Sequence, residues 1–517
     1  MGRSLTIGKI EVDSINILVI DDCTTSATLI KHQLVSLGAK LSNITCVNSA
    51  QEALDAVKTR FYLFIVMDYH LSAKFTGLDL INLMGRAKLI SDTTAVLMIS
   101  GDATQETVLT ALSGRVRHLL TKPLQTKALK SKMLTALEQQ YNLAEVRRLL
   151  EKCETITLTD VMHLHKKYAT SVCVESLLID TLVETQQFDV LEKFLPFCSN
   201  KEHASLICAE AFLLHRQGQI KEALDVLANY VTHNPLCLRA IDNLIGLYET
   251  LGQYNNASIL ANRAFKLTPS NSARMMTVSR ILSKLGQIDK LYDVGYLYTS
   301  NLSSTDTVWL STMNSYVDLI SEHFKMLPDA NEKKKVFIKL NQLCLIAEKQ
   351  LSRSQQVDLA AFKQMMQCKL LLEARPEYAH RKLMKALSYY YAAPNKTPLP
   401  LLKQAIPLMD YFGEFAIKHS LLALLTVQPG MSIEENFQIN NADQELRDKY
   451  PFSIEICLKQ LSDNTTKITS IAMNENIDFL SRRPLPPNWS NWFQNYLSGS
   501  YSSSLPKPFN LQATLWR

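Results

Sequence analysis

The sequence predicts an α/β domain, a doubly wound parallel five-stranded sheet, followed by an all-α helical solenoid. Three observations lead there. Residues 15–141 alternate five apolar runs with amphipathic stretches, the pattern of a parallel sheet covered by helices. From Gln125 onward the pattern is helical, and a period of 34 residues links Gly218, Gly252 and Gly286. Glycine, 15 of 517 residues, is scarce against the usual ~7%, which disfavours turn-rich all-β chains.

The first run, Ile15–Ile20, ends in Asp21-Asp22. A helix follows with Leu29, Leu34 and Leu37 on one face, closed by Gly38. Ile44–Val47 is the second strand, ahead of a helix around Ala50–Val57. Tyr62–Met67 is the third and stops at Asp68; Gly77 then precedes another helix. Ala95–Ile99 is the fourth, ending at Ser100-Gly101-Asp102, with a helix near Gln105–Leu112 next. Val116–Thr121 is the fifth, and Lys122-Pro123 opens the last helix, since proline suits a helix start.

Ligands of such sheets bind beyond the carboxyl ends of the strands. Asp21, Asp22, Asp68, Ser100 and Lys122 all fall at those ends, so five polar groups converge on one edge. Three carboxylates in one cleft repel unless a cation or protons relieve them. Mg²⁺ suits oxygen ligands and keeps waters for phosphate oxygens. An Asp beside it can attack phosphorus and form an acyl phosphate. The Lys122 ammonium would balance charge on the phosphoryl group, and the Ser100 hydroxyl would donate to one of its oxygens.

Residues 15–141 therefore resemble a response-regulator receiver domain, with a flavodoxin-like fold. The acid pair matches Asp21 and Asp22, the phospho-acceptor Asp68, the switch hydroxyl Ser100 and the Lys-Pro pair Lys122-Pro123. The resemblance implies Mg²⁺ held by Asp21, Asp22, Asp68 and the backbone carbonyl of His70. It implies transfer of a phosphoryl group to Asp68 from a sensor histidine kinase or phosphotransfer protein, then slow self-catalysed hydrolysis. Two positions depart from the family. Leu119 replaces the usual Tyr or Phe three residues before the lysine, which leaves the direction of a phospho-switch open. The segment Tyr69–Lys74 lacks the common Met-Pro.

The helix after Pro123 reads on through Leu137, Val146 and Leu150, with a break near Asn142 as the alternative. Beyond it, Pro235 and Pro269 are spaced 34 apart, as are Ala223 and Ala257, and Leu214, Tyr248 and Leu282. A 34-residue helix–turn–helix unit resembles the tetratricopeptide repeat. Residues 204–235 and 236–269 fit it well; 270–303 fits less well, because Leu291 and Ser303 replace the alanine and proline. Gln187-Phe188 echoes Gln219-Ile220, pointing to a degenerate pair upstream. The resemblance implies a concave groove, carrying residues such as Asn243, Tyr248 and Arg274, that binds an unidentified protein partner.

Further on, Lys333–Leu351 and Val357–Glu373 read as an antiparallel helix pair, and His380–Tyr391 as another helix. Pro398 and Pro400 precede a helical run from Leu401 to Leu425. Pro484, Pro486, Pro487 and the serines near Ser502 suggest an irregular tail, docked through Trp489, Trp492 and Trp516. The expected segments are an extension at 1–14, the receiver at 15–141, and a helical linker with degenerate repeat at 142–200. Repeats follow at 201–303, divergent helical repeats at 304–428, and an irregular region at 429–517.

Charge and composition exclude several functions. The net charge of +6 divides evenly, residues 1–141 holding 15 basic and 12 acidic groups, so no basic lobe marks a nucleic-acid surface. The best apolar run, Leu421–Val427, is far short of the ~18 residues a membrane span needs. Residues 1–14 lack the apolar core of a secretion signal. Ten cysteines without a CxxC pair read as thiols of a reducing cytoplasm, not as a disulfide or zinc framework. His163, His165, Lys166 and Lys167 approach a phosphotransfer-histidine motif, but Lys167 stands where that motif needs glycine.

The resulting expectation is a cytoplasmic response regulator whose output is protein binding through its tetratricopeptide-like region. It has no dedicated enzymatic domain and catalyses only its own phosphorylation and dephosphorylation. The alternative is an auxiliary regulator that binds a sensor kinase as phosphate sink or inhibitor. A DNA-binding regulator is a third reading, without a basic module to support it.

Overall fold

β-branched and apolar runs build the sheet. Five parallel strands, β1 (Ile17–Ile20), β2 (Ile44–Val47), β3 (Phe64–Asp68), β4 (Ala95–Ser100) and β5 (His118–Thr121), pair in the order β2-β1-β3-β4-β5. β1, β3 and β4 are buried along their whole length, whereas the edge strands β2 and β5 are partly exposed. Alternate residues feed two cores. Ile17, Val19, Phe64, Val66, Leu97 and Ile99 pack beneath α1 (Thr24–Ser36) and the start of α4 (Thr126–Leu150). Leu18, Ile20, Ile65, Met67, Val96 and Met98 pack beneath α2 (Ala50–Thr59) and α3 (Gly77–Arg86).

The structure, a computed structural model, describes residues 6–7, 10–72, 75–101, 116–153, 155–168, 172–303, 305–372, 374–426, 454–463, 470–482, 485, 487–500 and 502–506. The helix expected near Gln105–Leu112, and Ala73, Lys74, Asp102, Pro484, Pro486 and Trp516, lie outside the described residues. The chain divides into two compact units, Met1–Asp306 and Thr307–Arg517.

In the first unit, α4 is unbroken at Asn142 and crosses the expected boundary at 141. Leu129, Met133, Ala136 and Leu137 complete a core under the sheet. Leu143, Val146 and Leu150 open the next core, shared with α5 (Leu158–Lys167), α6 (Val172–Glu184) and α7 (Phe188–Phe194). One helix therefore serves two cores. Pro123 does not open it. Lys122 still follows the sheet, its amide donating to the Ser100 carbonyl at 2.8 Å, so the helix begins only at Thr126.

Three helix pairs then repeat: α8 (Ala204–Arg216) with α9 (Ile220–His233), α10 (Leu238–Thr250) with α11 (Tyr254–Leu267), and α12 (Ser272–Lys284) with α13 (Ile288–Ser300). Gly218, Gly252 and Gly286 end the first helix of each pair at φ +81°, +68° and +67°. That left-handed conformation lets the next amide reach back: Gln219 to Leu214, Gln253 to Tyr248, and Gln287 to Leu282, at 2.8–3.0 Å. The periodic position holding Leu214, Tyr248 and Leu282 is thus the carbonyl that closes each turn. Upstream, Gln186 takes φ +58° and Gln187 reaches Leu182 in the same way, without glycine. Gly252→Ala should cost about 1 kcal/mol, read by urea unfolding of the full chain. A cost near zero would mean that the turn does not hold that conformation.

The second unit holds α14 (Trp309–Met326), α15 (Ala330–Gln350), α16 (Arg353–Leu371), α17 (Pro376–Ser388), α18 (Leu399–Phe412) and α19 (Phe415–Thr426). The run expected as Leu401–Leu425 is two helices, because Gly413 turns left-handed at φ +72° against Ile454. The expected irregular region at 429–517 also differs. It contains α20 (Ile454–Ser462), α21 (Ser470–Ser481) and α22 (Pro487–Leu497), which share a core of Cys457, Leu458, Leu480, Trp489 and Phe493. Pro487 starts a helix here, the one place where its missing amide costs nothing. Trp489 and Trp492 dock as expected, their indole N–H groups donating to the Pro506 and Ser502 carbonyls.

No cysteine is in a disulfide. Burial pushes the Cys198, Cys344 and Cys368 thiols up to about 12. Among the described residues, no helix is long and apolar enough to cross a membrane.

Candidate functional site

Register alone brings the acids together. Ile20 pairs with Met67 across β1 and β3, so the next residues, Asp21 just past β1 and Asp68 at the end of β3, lie side by side at the sheet edge. Ser100 pairs with Thr121 across β4 and β5, which places Lys122 one residue beyond that edge. The Lys122 ammonium reaches Asp68 Oδ2 at 2.7 Å and Asp21 Oδ2 at 3.1 Å. One carboxylate oxygen from each of Asp21, Asp22 and Asp68 lies within 4.8 Å of the others.

Burial grades the three acids. Asp21 and Asp68 are buried, at 1% and 7% exposure, whereas Asp22 faces solvent. Asp21 is fixed by the Cys23 amide on Oδ1 (2.9 Å) and the Ser26 hydroxyl on Oδ2 (2.6 Å). Asp68 Oδ1 accepts from the His70 amide at 3.3 Å. Ser100 is fully buried at the end of β4. Leu119, at the position the family fills with an aromatic ring, packs half-buried against the core that contains Met67 and Met98.

Burial works to lower the Lys122 pKa, but its bonds to Asp68 and Asp21 outweigh it and hold the ammonium above the ordinary lysine range. A raised pKa adds stability that is complete below the unfolded value near ~10.4 and disappears as pH climbs through the folded one. Thermal melts should therefore lose an alkaline component in Lys122→Met. An unchanged alkaline slope would show that the pair adds nothing.

Two supporting residues escaped the sequence reading. Ser26, one turn into α1, braces Asp21. Gly77 sits where a Cβ would lie 2.2 Å from the Asp68 carbonyl oxygen and 2.9 Å from the Met67 side chain. Its amide donates to the Tyr69 carbonyl at 2.7 Å, which folds the acceptor loop back onto α3. The only trace of this in the sequence is a glycine preceding a helix.

The family model described as response regulator receiver domain matches residues 17–134. Residues 17–134 are a receiver domain. Solved structures similar to the chain include the signal receiver domain of an HD domain-containing protein from Pseudomonas fluorescens Pf-5. It is 20% identical and covers 25% of this chain and 97% of its own, with a TM-score of 0.22. Chemotaxis protein CheY4 of Vibrio cholerae is 18% identical over 24% of this chain and 98% of its own, TM-score 0.22. A response regulator from Burkholderia pseudomallei, described with a phosphorylated aspartic acid, calcium ion and citrate, is 20% identical. It covers 32% of this chain and 93% of its own, TM-score 0.22.

The receiver's acidic cluster fits a hard divalent cation, as the family generally binds at this pocket. The donors are carboxylate oxygens close enough to share one ion, and the exposed Asp22 leaves the cluster open to solvent.

Proposed function

We propose that the chain is a response regulator that accepts a phosphoryl group on Asp68 and signals through its helical repeats by binding a protein partner. The observation that carries this reading is the Lys122 ammonium bridging Asp68 and Asp21 at the sheet edge. An Asp68 oxygen attacks the phosphorus of a phosphohistidine on a sensor kinase or phosphotransfer protein. The P–N bond breaks, and an acyl phosphate forms on Asp68. Lys122 neutralises charge on the transferred group, and the Ser100 hydroxyl donates to one of its oxygens. Asp21, Asp22, Asp68 and the His70 carbonyl would hold Mg²⁺, which would offset the carboxylate charge and supply coordination sites for phosphoryl oxygens.

A route to the repeats starts beside the acceptor. Thr76 and Asp79 form a capping box at the start of α3. Asp79 Oδ2 serves that cap, while Oδ1 accepts from the Ser303 hydroxyl at 2.6 Å and the Thr305 hydroxyl at 3.1 Å. Arg86, at the end of α3, donates to the Thr305 carbonyl. The segment after α13 is therefore tied to the helix that begins at the acceptor loop. Added charge on Asp68 biases that tie, and with it the repeats. Their groove includes a cleft of about 430 Å³ lined by Phe212, His215, Asp242, Asn243 and Thr250. Arg274 is engaged there with Asp242 at 2.7 Å.

Hydrogen exchange of the full chain, with and without acetyl phosphate, tests the proposal. Phosphorylation of Asp68 should speed exchange in α3 and around residues 303–306. Phosphorylation without any change there would favour the phosphate-sink reading. No phosphorylation would end both.

A further inference from the structure

Outside the receiver's acid pocket, the fold gathers a second group of titratable side chains that the sequence gives no sign of. Glu175 lies on α6, Cys198 follows the short turn Leu195–Phe197, and His203 caps α8. All three are more than nine-tenths buried, at 1%, 3% and 8% exposure. One donor atom from each lies within 4.8 Å of the others. The far oxygen of the carboxylate is well held. Glu175 Oε1 accepts from the Ser199 amide at 2.7 Å and sits 2.8 Å from His165 Nε2 on α5. The near oxygen is not. Glu175 Oε2 and His203 Nε2 face each other at 3.4 Å, and neither has a hydrogen-bond partner among the described residues.

That separation is long for a bond between the two. A charge-assisted N–H···O bond closes to about 2.7–2.9 Å. Ligands of a tetrahedral zinc ion, with bonds of about 2.0–2.3 Å, stand roughly 3.3–3.8 Å apart. The Glu175–His203 separation falls in that range, and the buried Cys198 thiol lies within 4.8 Å of a donor atom of each.

We propose that Glu175, Cys198 and His203 bind a zinc ion where the linker helices meet the first regular helix pair. A thiolate, an imidazole and a carboxylate together suit zinc, whereas Mg²⁺ and Ca²⁺ select oxygen sets such as the receiver's. His165 and the Ser199 amide serve as the outer partners that orient the carboxylate. On binding, the Cys198 thiol gives its proton to solvent as the S–Zn bond forms. The Leu206 amide donates to His203 Nδ1 at 3.3 Å, which puts the proton of the neutral ring on Nε2; zinc at Nε2 would shift that proton to Nδ1. The Leu206 amide would then keep its other acceptor, the His203 carbonyl at 3.1 Å. The ion staples α6, the 195–197 turn and α8, and so fixes the base of the repeats. This site does not depend on phosphoryl transfer.

The test uses full-length protein stripped with chelator, in excess Mg²⁺ to fill the acid pocket. Zn²⁺ should bind at one ion per chain and raise the melting temperature. Co²⁺ should give a thiolate-to-metal charge-transfer band. Cys198→Ser, which exchanges sulfur for oxygen, should lose the band and the zinc-dependent melting shift, its zinc-free melt and circular dichroism showing that it folds. His203→Gln should weaken zinc binding by at least ~10-fold. Asp68→Asn should leave uptake unchanged. Equal uptake in wild type and Cys198→Ser, a band that survives Cys198→Ser, or no band in the wild type would overturn the proposal. Loss of uptake in Asp68→Asn alone would place the ion in the receiver and overturn it too.

Discussion

Asp68→Asn is expected to abolish phosphoryl incorporation from acetyl phosphate, read by intact mass, a loss of ~10⁴-fold or more. The amide matches the carboxylate in shape but has no anionic oxygen to attack phosphorus. Folding should survive. The change removes one of three mutually repelling carboxylates, and Lys122 keeps Asp21 at 3.1 Å. A variant that still takes up one phosphoryl group would move the acceptor elsewhere and remove the basis of the phospho-switch. Asp22, exposed at the same edge, would then be the first residue to examine.

Gly77→Ala is expected to be the most disruptive single-methyl change at the receiver. Its Cβ would overlap the Asp68 carbonyl oxygen at 2.2 Å, and backbone cannot swing aside as a flexible side chain can. Overpacking against a fixed neighbour costs about 2 kcal/mol or more, which lowers the receiver's melting temperature by roughly 5 °C or more. Phosphorylation should slow as well, because the clash is with Asp68 itself. Gly101, near the same sheet edge, is the control: among the described residues, no atom lies within 4 Å of the place its added methyl would take. Gly101→Ala should change stability by less than ~0.5 kcal/mol. Equal melts for the two variants would mean that the acceptor loop does not press on α3.

Much of the receiver was legible because its signals are local. Apolar runs and the residues that end them are read along the chain, so Asp21, Asp68, Ser100 and Lys122 could be placed at strand ends before any pairing was known. The repeat turns were legible for the same reason. A left-handed residue at the end of a helix favours glycine, and Gly218, Gly252 and Gly286 display the period openly. The weaker signals misled. Gln186 makes the same turn without glycine, Gly413 splits a helix that read as continuous, and the three helices after residue 454 are too short for their period to stand out among prolines.

By itself, then, the sequence determined the parallel sheet, the identity of its edge residues and the helical repeat. Tertiary structure alone decided which distant groups meet: Lys122 between Asp21 and Asp68, Gly77 against the Asp68 carbonyl, Asp79 with Ser303, and Glu175 with Cys198 and His203. The reason is physical. Periodicity records which face of an element is buried, whereas a contact between residues 224 apart depends on the path of everything between them.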